Sequence, residues 1–210
     1  NFGKNQAMLV LNGPVQIYSS GWRNHYDVVV TQAGRLYTFD NGPNSGWGGI
    51  PINCSNATNE VGSQSQPDNL HYISGPGYYG GHPNPTRSNR SNTFNTTNPQ
   101  TPIPIGMEDP FCDYRIPGNG DGALATINSS TNGLCEYTAS NFGGVLQGNL
   151  LAAAFNGNIY RFELNAAGNM VITQSSLASG FGATPLDVIA QGDADPFPGT
   201  IWACTYGADN

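Results

Sequence analysis

A repeated pair of short β-type segments constrains the fold of this chain more than any other feature. Residues 26–30 followed by residues 34–39 are echoed by residues 186–190 followed by residues 199–204. In both copies an Asp stands near the start of the first segment and a Gly opens the second. Such repetition of one supersecondary unit is typical of folds whose neighbouring units bury each other's apolar faces.

Short β-type segments recur along the whole chain, and each is bounded by Gly, Asn, Asp or Pro. The predicted strands are residues 7–11, 15–18, 27–31, 35–39, 69–73, 123–127, 150–155, 159–164, 170–173, 186–190 and 200–204. The turn Asn156-Gly157 predicts a tight hairpin. With 28 Gly, 15 Pro and only 10% charged residues, the chain is not a coiled coil or a helical bundle. We therefore predict an all-β fold made of β-propeller blades.

The predicted domain organisation is one propeller-like domain, or part of one, over residues 1–210, with a long loop insertion at residues 41–120. That insertion is dominated by Gly, Pro, Asn and Ser. It is either an elaborated loop over the scaffold or a binding surface. Asp27 and Asp187, at the starts of the repeated strands, are expected to accept hydrogen bonds from loop N–H groups.

The charge balance and the cysteines bear on partners and compartment. The formal net charge is −7 and there is no basic cluster, so nucleic acid is not expected as a partner. No apolar run is long enough to span a membrane. Four cysteines without a C-x-x-C spacing favour disulfides over zinc, in one of three pairings, and we predict Cys54–Cys112 and Cys135–Cys204.

Glycosylation motifs point to the same compartment as the cysteines. Asn-x-Ser/Thr sequons occur at Asn53, Asn56, Asn89, Asn95 and Asn128. All of them fall in stretches that are predicted to be turns or loops. We therefore expect a secreted or cell-surface glycoprotein.

Two stretches carry a family resemblance. Residues 21–27 read GWRNHYD, and residues 34–45 read GRLYTFDNGPNS. With PDNL at 67–70, GYYGGHP at 77–83 and NIYR at 158–161, the chain resembles the soluble quinoprotein glucose/sorbosone dehydrogenase family. The resemblance extends over most of the chain apart from the Cys54 loop and residues from about 84 to 120. It implies a six-bladed propeller, of which this chain holds about half.

The resemblance also assigns residues to a cofactor site. In that family the Arg-Asn pair contacts pyrroloquinoline quinone (PQQ), and the Gly-Pro carbonyls bind calcium. These positions correspond to Arg23 and Asn24, and to Gly42 and Pro43. The family's remaining cofactor cations correspond to three neutral residues, Asn156, Thr184 and Leu186. Its catalytic His belongs to a blade upstream of Arg23, and His25, His71 and His82 do not match it by position.

Three functions follow as expectations. The first is a secreted, glycosylated, non-catalytic propeller module with a structural or binding role, possible self-assembly and calcium as a candidate ion, without PQQ. Its partners would be further blades, from a longer chain or from other copies in a homo-oligomer or filament, or glycans. The second is a PQQ- and calcium-dependent sugar dehydrogenase. The third is carbohydrate binding through the aromatic residues Trp22, Trp47, Tyr78 and Tyr79.

Overall fold

The computed structural model describes residues 12–19, 21–42, 67–76, 78, 80 and 123–207. The strands within these residues are β1 (His25–Val30), β2 (Leu36–Asp40), β3 (Asp68–Ile73), β4 (Ala125–Ile127), β5 (Thr131–Tyr137), β6 (Asn149–Ala154), β7 (Asn158–Leu164), β8 (Val171–Ser179), β9 (Thr184–Ala190) and β10 (Ile201–Tyr206). The described part of the chain contains no helix with the length and hydropathy that a bilayer span requires.

The strands form three antiparallel sheets in which neighbours in space are neighbours in sequence. Blade 1 is β1-β2-β3-β4, blade 2 is β5-β6-β7-β8, and blade 3 is β9-β10. The first strands of the blades lie side by side, β1 against β5 and β5 against β9. This arrangement confirms the predicted all-β fold of propeller blades, with two four-stranded blades and two strands of a third among the described residues.

Strand β6 lies at the centre of the packing. Its six residues are all buried because blade 1 covers one face and blade 3 covers the other. Leu150, Ala152 and Ala154 pack with Tyr37 and Phe39 of blade 1. Leu151 and Ala153, which alternate with them, pack with Val188 of blade 3. Burial on both faces explains why the run Leu-Leu-Ala-Ala-Ala shows no polar alternation and yet forms a strand.

The predicted hairpin at Asn156-Gly157 is confirmed. Gly157 has a φ of +83°, and its N–H donates to the carbonyl of Ala154 at 3.2 Å. The remaining predicted strands within the described residues have counterparts in the structure apart from one, and the strand predicted at 170–173 is too short because β8 continues to Ser179. Residues 15–18 form no strand, and residues 7–11 lie outside the described residues.

Strand β5 is the strand that the sequence analysis missed. Its segment contains Asn132-Gly133, a pair typical of turns, but in the structure these residues form a bulge between Thr131 and Leu134. Gly133 is required there because a Cβ at this position would collide with the backbone and carboxylate of Asp187 in blade 3. The glycine therefore marks a close approach between two blades.

The aspartates of the repeat accept main-chain hydrogen bonds as predicted, but the donors lie in strands and not in loops. Asp27 accepts a hydrogen bond from its neighbour Val28, with an N···Oδ1 distance of 2.7 Å, and Asp187 does the same with Val188 at 2.8 Å. The other carboxylate oxygen of Asp27 accepts from the N–H of Leu134 in β5 at 3.0 Å. Asp27 therefore joins two blades rather than bracing a loop.

Other hydrogen bonds also cross between the blades. The buried Tyr37 hydroxyl donates to the carbonyl of Gly168 at 2.7 Å, and burial raises the pKa of Tyr37 to about 12. The Tyr137 hydroxyl donates to the carbonyl of Gly199 in blade 3 at 2.9 Å. Buried hydroxyls with partners fix the relative position of the sheets.

The close approach at Gly133 yields a stability prediction. We expect Gly133→Ala to lower the free energy of unfolding by about 1–3 kcal/mol, because the added methyl group separates β5 from β9. Chemical denaturation of the wild type and the variant measures this difference.

Gly75→Ala is the matched control. Gly75 also has an ordinary φ, but a Cβ there has nothing within 4 Å. We expect its effect to stay within about 0.5 kcal/mol. Equal stabilities for the two variants would contradict the close approach of blades 2 and 3.

Candidate functional site

The predicted cofactor residues lie together at one end of blade 1. Arg23 and Asn24 precede β1, Gly42 follows β2, and the pairing of His25 with Asp40 brings these two chain segments side by side. Pro43 lies outside the described residues. The structure therefore brings together the three members of the predicted site that it describes.

Asp40 organises the loop that carries Arg23 and Asn24. Its carboxylate accepts from the N–H of Arg23, with 3.1 Å to each oxygen, and from the N–H of Asn24 at 2.8 Å. The side chain is buried, and this burial raises the pKa of Asp40. The Asp40 carboxylate therefore serves to hold the Arg-Asn loop against the end of β2.

A second buried carboxylate, Asp68, joins blade 1 to blade 2. One oxygen accepts from the N–H of Gly42 at 2.8 Å. The other accepts from the N–H of Thr131 at 2.6 Å and from the side-chain amide of Asn41. Burial raises the pKa of Asp68 to about 6, although these three donors favour its ionised form. Asn41 also donates to the carbonyl of Thr131 at 3.0 Å, so the two residues form one cross-blade unit.

The side chains of Arg23 and Asn24 both bind Asn41. The Arg23 guanidinium donates from Nη1 to the main-chain carbonyl of Asn41 at 3.3 Å. The Asn24 amide donates to the Asn41 side-chain oxygen at 3.0 Å. Sequence reasoning found Arg23 and Asn24 but missed Asn41 and Thr131, and it gave Asp68 no role within the matched motif PDNL.

Positive charge is scarce at this end of the blades. Within the described residues, Arg23 is the one Lys or Arg there. Arg35 donates to the carbonyl of Ala166 in blade 2. Arg161 contacts Glu163, Asn149 and the carbonyl of Val145. Both arginines lie away from the Arg23 loop.

The three positions that correspond to the family's remaining cofactor cations are occupied by neutral residues. The turn residue Asn156 donates to the Tyr160 hydroxyl at 2.8 Å. Thr184 and Leu186 are half-buried residues of β9.

No carboxylate cluster suited to a metal ion occurs in the described ranges: no three or more His, Cys, Asp or Glu side chains converge. Asp193 and Asp195, the carboxylates of the turn between β9 and β10, each accept a main-chain hydrogen bond. Asp193 accepts from the N–H of Ser140 at 2.9 Å, and Asp195 accepts from the N–H of Gly192 at 2.6 Å.

Trp22 and Tyr78 form a packed aromatic cluster rather than an open platform. Their rings stack with centroids 5.8 Å apart, and Tyr78 is fully buried. The Tyr78 hydroxyl lies 2.8 Å from Nδ1 of His71, and burial lowers the pKa of His71 to about 3, so its imidazole is neutral. Tyr78 is therefore unavailable for sugar stacking, while Trp47, Tyr79 and His82 lie outside the described residues.

The structure does not contain the predicted Cys135–Cys204 disulfide, since both residues are free thiols. Cys204 pairs with Asp187 on β9, whereas Cys135 lies beside the N–H of Ala190. Three residues along a strand correspond to about 10 Å, which is beyond the reach of a disulfide. Burial raises the pKa of Cys135 to about 12. Cys54 and Cys112 lie outside the described residues.

Asn128 is the one predicted sequon asparagine within the described residues. It is exposed in the turn between β4 and β5, three residues before Thr131. The sequons at Asn53, Asn56, Asn89 and Asn95 lie outside them. Asn128 is therefore accessible to modification, and it lies near the end of the blades where Asp68 binds Thr131.

An apolar groove of about 670 Å³ opens between blade 2 and β10. Its lining includes Ile159, Leu177, Phe181, Ile201 and Ala203, and all of its lining side chains are apolar. A sugar or a polyanionic cofactor requires hydrogen-bonding groups that this groove lacks.

Comparison with solved structures agrees with the blade arrangement. The chain is similar to a crystal structure of glucose dehydrogenase, with a TM-score of 0.54 and 18% identity, over 89% of this chain and 43% of that chain. This chain has the fold of part of a β-propeller. At such low identity the likeness concerns the fold alone.

Two further solved structures give the same result. A second glucose dehydrogenase structure matches with a TM-score of 0.53, 18% identity and coverage of 89% and 42%. The apo-form of the soluble aldose sugar dehydrogenase from Escherichia coli matches with a TM-score of 0.52, 17% identity and coverage of 89% and 43%. The chain thus spans less than half the length of these proteins. No protein-family model and no curated protein matches it.

The Asp68 junction yields a prediction about stability and pH. Asp68→Asn replaces one acceptor oxygen by an amide that faces N–H donors, so we expect a loss of about 1–3 kcal/mol in the free energy of unfolding at neutral pH. Because the folded pKa of Asp68 lies near 6 and its ordinary value is 3.8, the folded state binds this proton more tightly. The part of the stability that comes from this protonation is complete below about pH 4 and is lost as the pH rises through about 6, whereas the hydrogen bonds to the ionised carboxylate remain above that pH.

Denaturation curves between pH 4 and pH 7 measure both effects. The Asp68→Asn variant should lack this decline with rising pH, while Asp195→Asn, a change of the same type at an exposed position, should follow the wild type. An Asp68→Asn variant with wild-type stability at every pH would refute the assigned role of the carboxylate.

Proposed function

We propose that this chain is a non-catalytic, extracellular β-propeller module with a structural or binding role. One observation carries the proposal: Arg23, Asn24 and Gly42 are engaged with Asp40, Asn41 and Asp68 within the blades. Residues that resemble a cofactor site thereby have a structural task that needs no cofactor.

Electrostatics supports the absence of PQQ. The cofactor is a tricarboxylate, and the described end of blade 1 offers it a single guanidinium above the buried carboxyls of Asp40 and Asp68. Each missing charge-assisted hydrogen bond costs about 1.5–3 kcal/mol. Asn156, Thr184 and Leu186 cannot supply these bonds as cations. The described residues therefore do not fit PQQ.

The proposed extracellular location rests on the sequence and on the exposure of Asn128. An exposed sequon asparagine in the turn before β5 is accessible to glycosylation. A glycan there would stand near the Arg23 end of the blades, where a dehydrogenase would have to admit its sugar. The proposed glycoprotein character and the proposed lack of catalysis are thus mutually consistent.

A second candidate function is a PQQ- and calcium-dependent sugar dehydrogenase. Two observations favour it: the fold is shared with sugar dehydrogenase structures, and Arg23, Asn24 and Gly42 lie together. Since the chain spans less than half of those proteins, this activity would need residues from elsewhere. Among the described residues, the scarcity of cations around Arg23 speaks against it.

A titration with PQQ in the presence of calcium distinguishes the two functions. We expect no change in cofactor absorbance and no dye-coupled oxidation of glucose or other aldoses, because the described residues offer the cofactor only the guanidinium of Arg23. Arg23→Ala is the companion variant, and it should lower the thermal midpoint slightly, consistent with one hydrogen bond worth about 1 kcal/mol.

Stoichiometric PQQ binding together with dye-coupled sugar oxidation, both abolished by Arg23→Ala with the fold intact by circular dichroism, would establish the dehydrogenase function instead. Arg23→Lys then reports whether a point charge suffices, since it keeps the charge but loses the fork of donors.

Calcium at the carbonyls of Gly42 and Pro43 is part of the same proposal. We expect calcium, and not magnesium, to raise the thermal midpoint relative to EDTA, because main-chain oxygens suit the larger ion. Calcium at a concentration about a hundredfold above its Kd would add about 2.7 kcal/mol to the free energy of unfolding. Equal midpoints in calcium and EDTA would remove the ion from the proposal.

A further inference from the structure

Four Asn-Gly pairs lie within the described residues, at positions 12–13, 41–42, 132–133 and 156–157. Asparagine followed by glycine is especially prone to deamidation, because glycine has no side chain to hinder attack by its main-chain nitrogen. Each pair is therefore chemically able to react, and its surroundings decide whether it does.

The reaction needs only water as a co-reactant. The glycine nitrogen loses its proton and forms a bond to Cγ of the asparagine, and the bond from Cγ to Nδ2 breaks to release ammonia. Water then opens the resulting succinimide to aspartate or isoaspartate. One water is consumed, one ammonia is released, and nothing is oxidised or reduced.

The pairs at 12–13 and 156–157 are open to this reaction. Asn12 and Asn156 are both exposed. The Asn156 amide bonds to side chains of its own hairpin, the Tyr160 hydroxyl at 2.8 Å and the Asn158 amide at 2.9 Å. Such local bonds at an exposed turn open readily in water.

The pair at 41–42 has the opposite surroundings. Asn41 is 7% exposed, and its Nδ2 donates both to the Asp68 carboxylate and to the carbonyl of Thr131. Its Oδ1 accepts from the Asn24 amide at 3.0 Å. The N–H of Gly42 donates to the other carboxylate oxygen of Asp68 at 2.8 Å.

Asp68 thus holds both nitrogens that take part in the reaction, the attacking one of Gly42 and the leaving one of Asn41. For the attack, the Asn41 amide must turn out of its three hydrogen bonds, and Gly42 must release its own bond to Asp68. Breaking buried hydrogen bonds to a carboxylate is costly. The closed junction between blades 1 and 2 therefore opposes deamidation.

The product does not fit the junction from which it forms. An ionised aspartate at position 41 has no hydrogen to donate to the Asp68 carboxylate or to the Thr131 carbonyl. It also sets a second negative charge beside Asp68 in a buried place. Isoaspartate in addition lengthens the main chain before Gly42.

We propose that Asn41 is a latent deamidation site, which Asp68 protects while blades 1 and 2 are joined and which reacts when they separate. Because the product cannot restore the hydrogen bonds, deamidation makes the opening of this junction irreversible. This inference concerns the blade junction and does not depend on the proposed lack of catalysis.

Incubation of the folded protein at neutral pH, followed by peptide mapping by mass spectrometry after digestion in mild acid, measures the conversion of each asparagine. In the wild type we expect Asn12 and Asn156 to convert while Asn41 stays intact. Asn132, which is 4% exposed, should also stay intact, and its conversion would report global unfolding.

Asp68→Asn tests the protection directly. We expect it to speed the conversion of Asn41 about tenfold or more, because the junction opens more often. The conversion of Asn156 should not change. Asn24→Ala removes one bond to Asn41 and is the milder variant, which should speed the conversion less.

Two further variants separate the junction from overall stability. Gly133→Ala loosens blades 2 and 3, and Asp195→Asn changes an exposed carboxylate, so both should leave Asn41 intact. Three outcomes would overturn the proposal. They are conversion of Asn41 at the rate of Asn156 in the wild type, equal acceleration by Gly133→Ala and Asp68→Asn, and an unchanged or slower conversion in Asp68→Asn. The slower conversion would show that the carboxylate acts as a base and promotes the attack.

The effect of the product is measured with Asn41→Asp. We expect its thermal midpoint to fall by about 4 °C or more, whereas Asn156→Asp, the same change at an exposed turn, should stay within about 1 °C of the wild type. Equal midpoints for these two variants would contradict the claim that deamidation prevents the junction from closing.

Discussion

The carboxylate of Asp68 is the contact on which the described structure depends. It lies at the start of β3 in blade 1 and receives the N–H of Thr131 at the start of β5 in blade 2. Through Asn41 and Gly42 it also fixes the end of β2, and through Asn41 it holds the side chains of Arg23 and Asn24. A buried acceptor with several N–H donors is costly to disturb, because each donor would lose its partner. The site that resembles a cofactor pocket and the junction between two blades are therefore one network.

The packing between blades depends on strands that are buried on both faces. Strand β6 has blade 1 on one side and blade 3 on the other, and its small alanines allow the sheets to come together. Gly133 allows a close approach of blades 2 and 3, because Asp187 occupies the space of a side chain. Apolar burial supplies most of the stability of such layers, while Tyr37 and Tyr137 fix their register by hydrogen bonds.

These features give the proposed function a physical basis. Arg23 and Asn24 would serve a cofactor if further cations stood around them, but the described residues provide none at that end. The same two residues serve a blade junction well, since Asn41 accepts from both.

The sequence by itself determined the all-β class, the hairpin at Asn156-Gly157 and the repeat, because short β-type segments and turn residues act locally. The grouping of Arg23 and Asn24 with Gly42 followed from the family resemblance. The tertiary structure decided the rest. It made Asn132-Gly133 a bulge within β5 instead of a turn, because Asp187 approaches from another blade. It separated Cys135 from Cys204 by strand register, and it buried Tyr78 under Trp22. It also turned Asn41, Asp68 and Thr131 into one unit, although the sequence places them far apart. Contacts between blades join distant residues, and no local pattern records them.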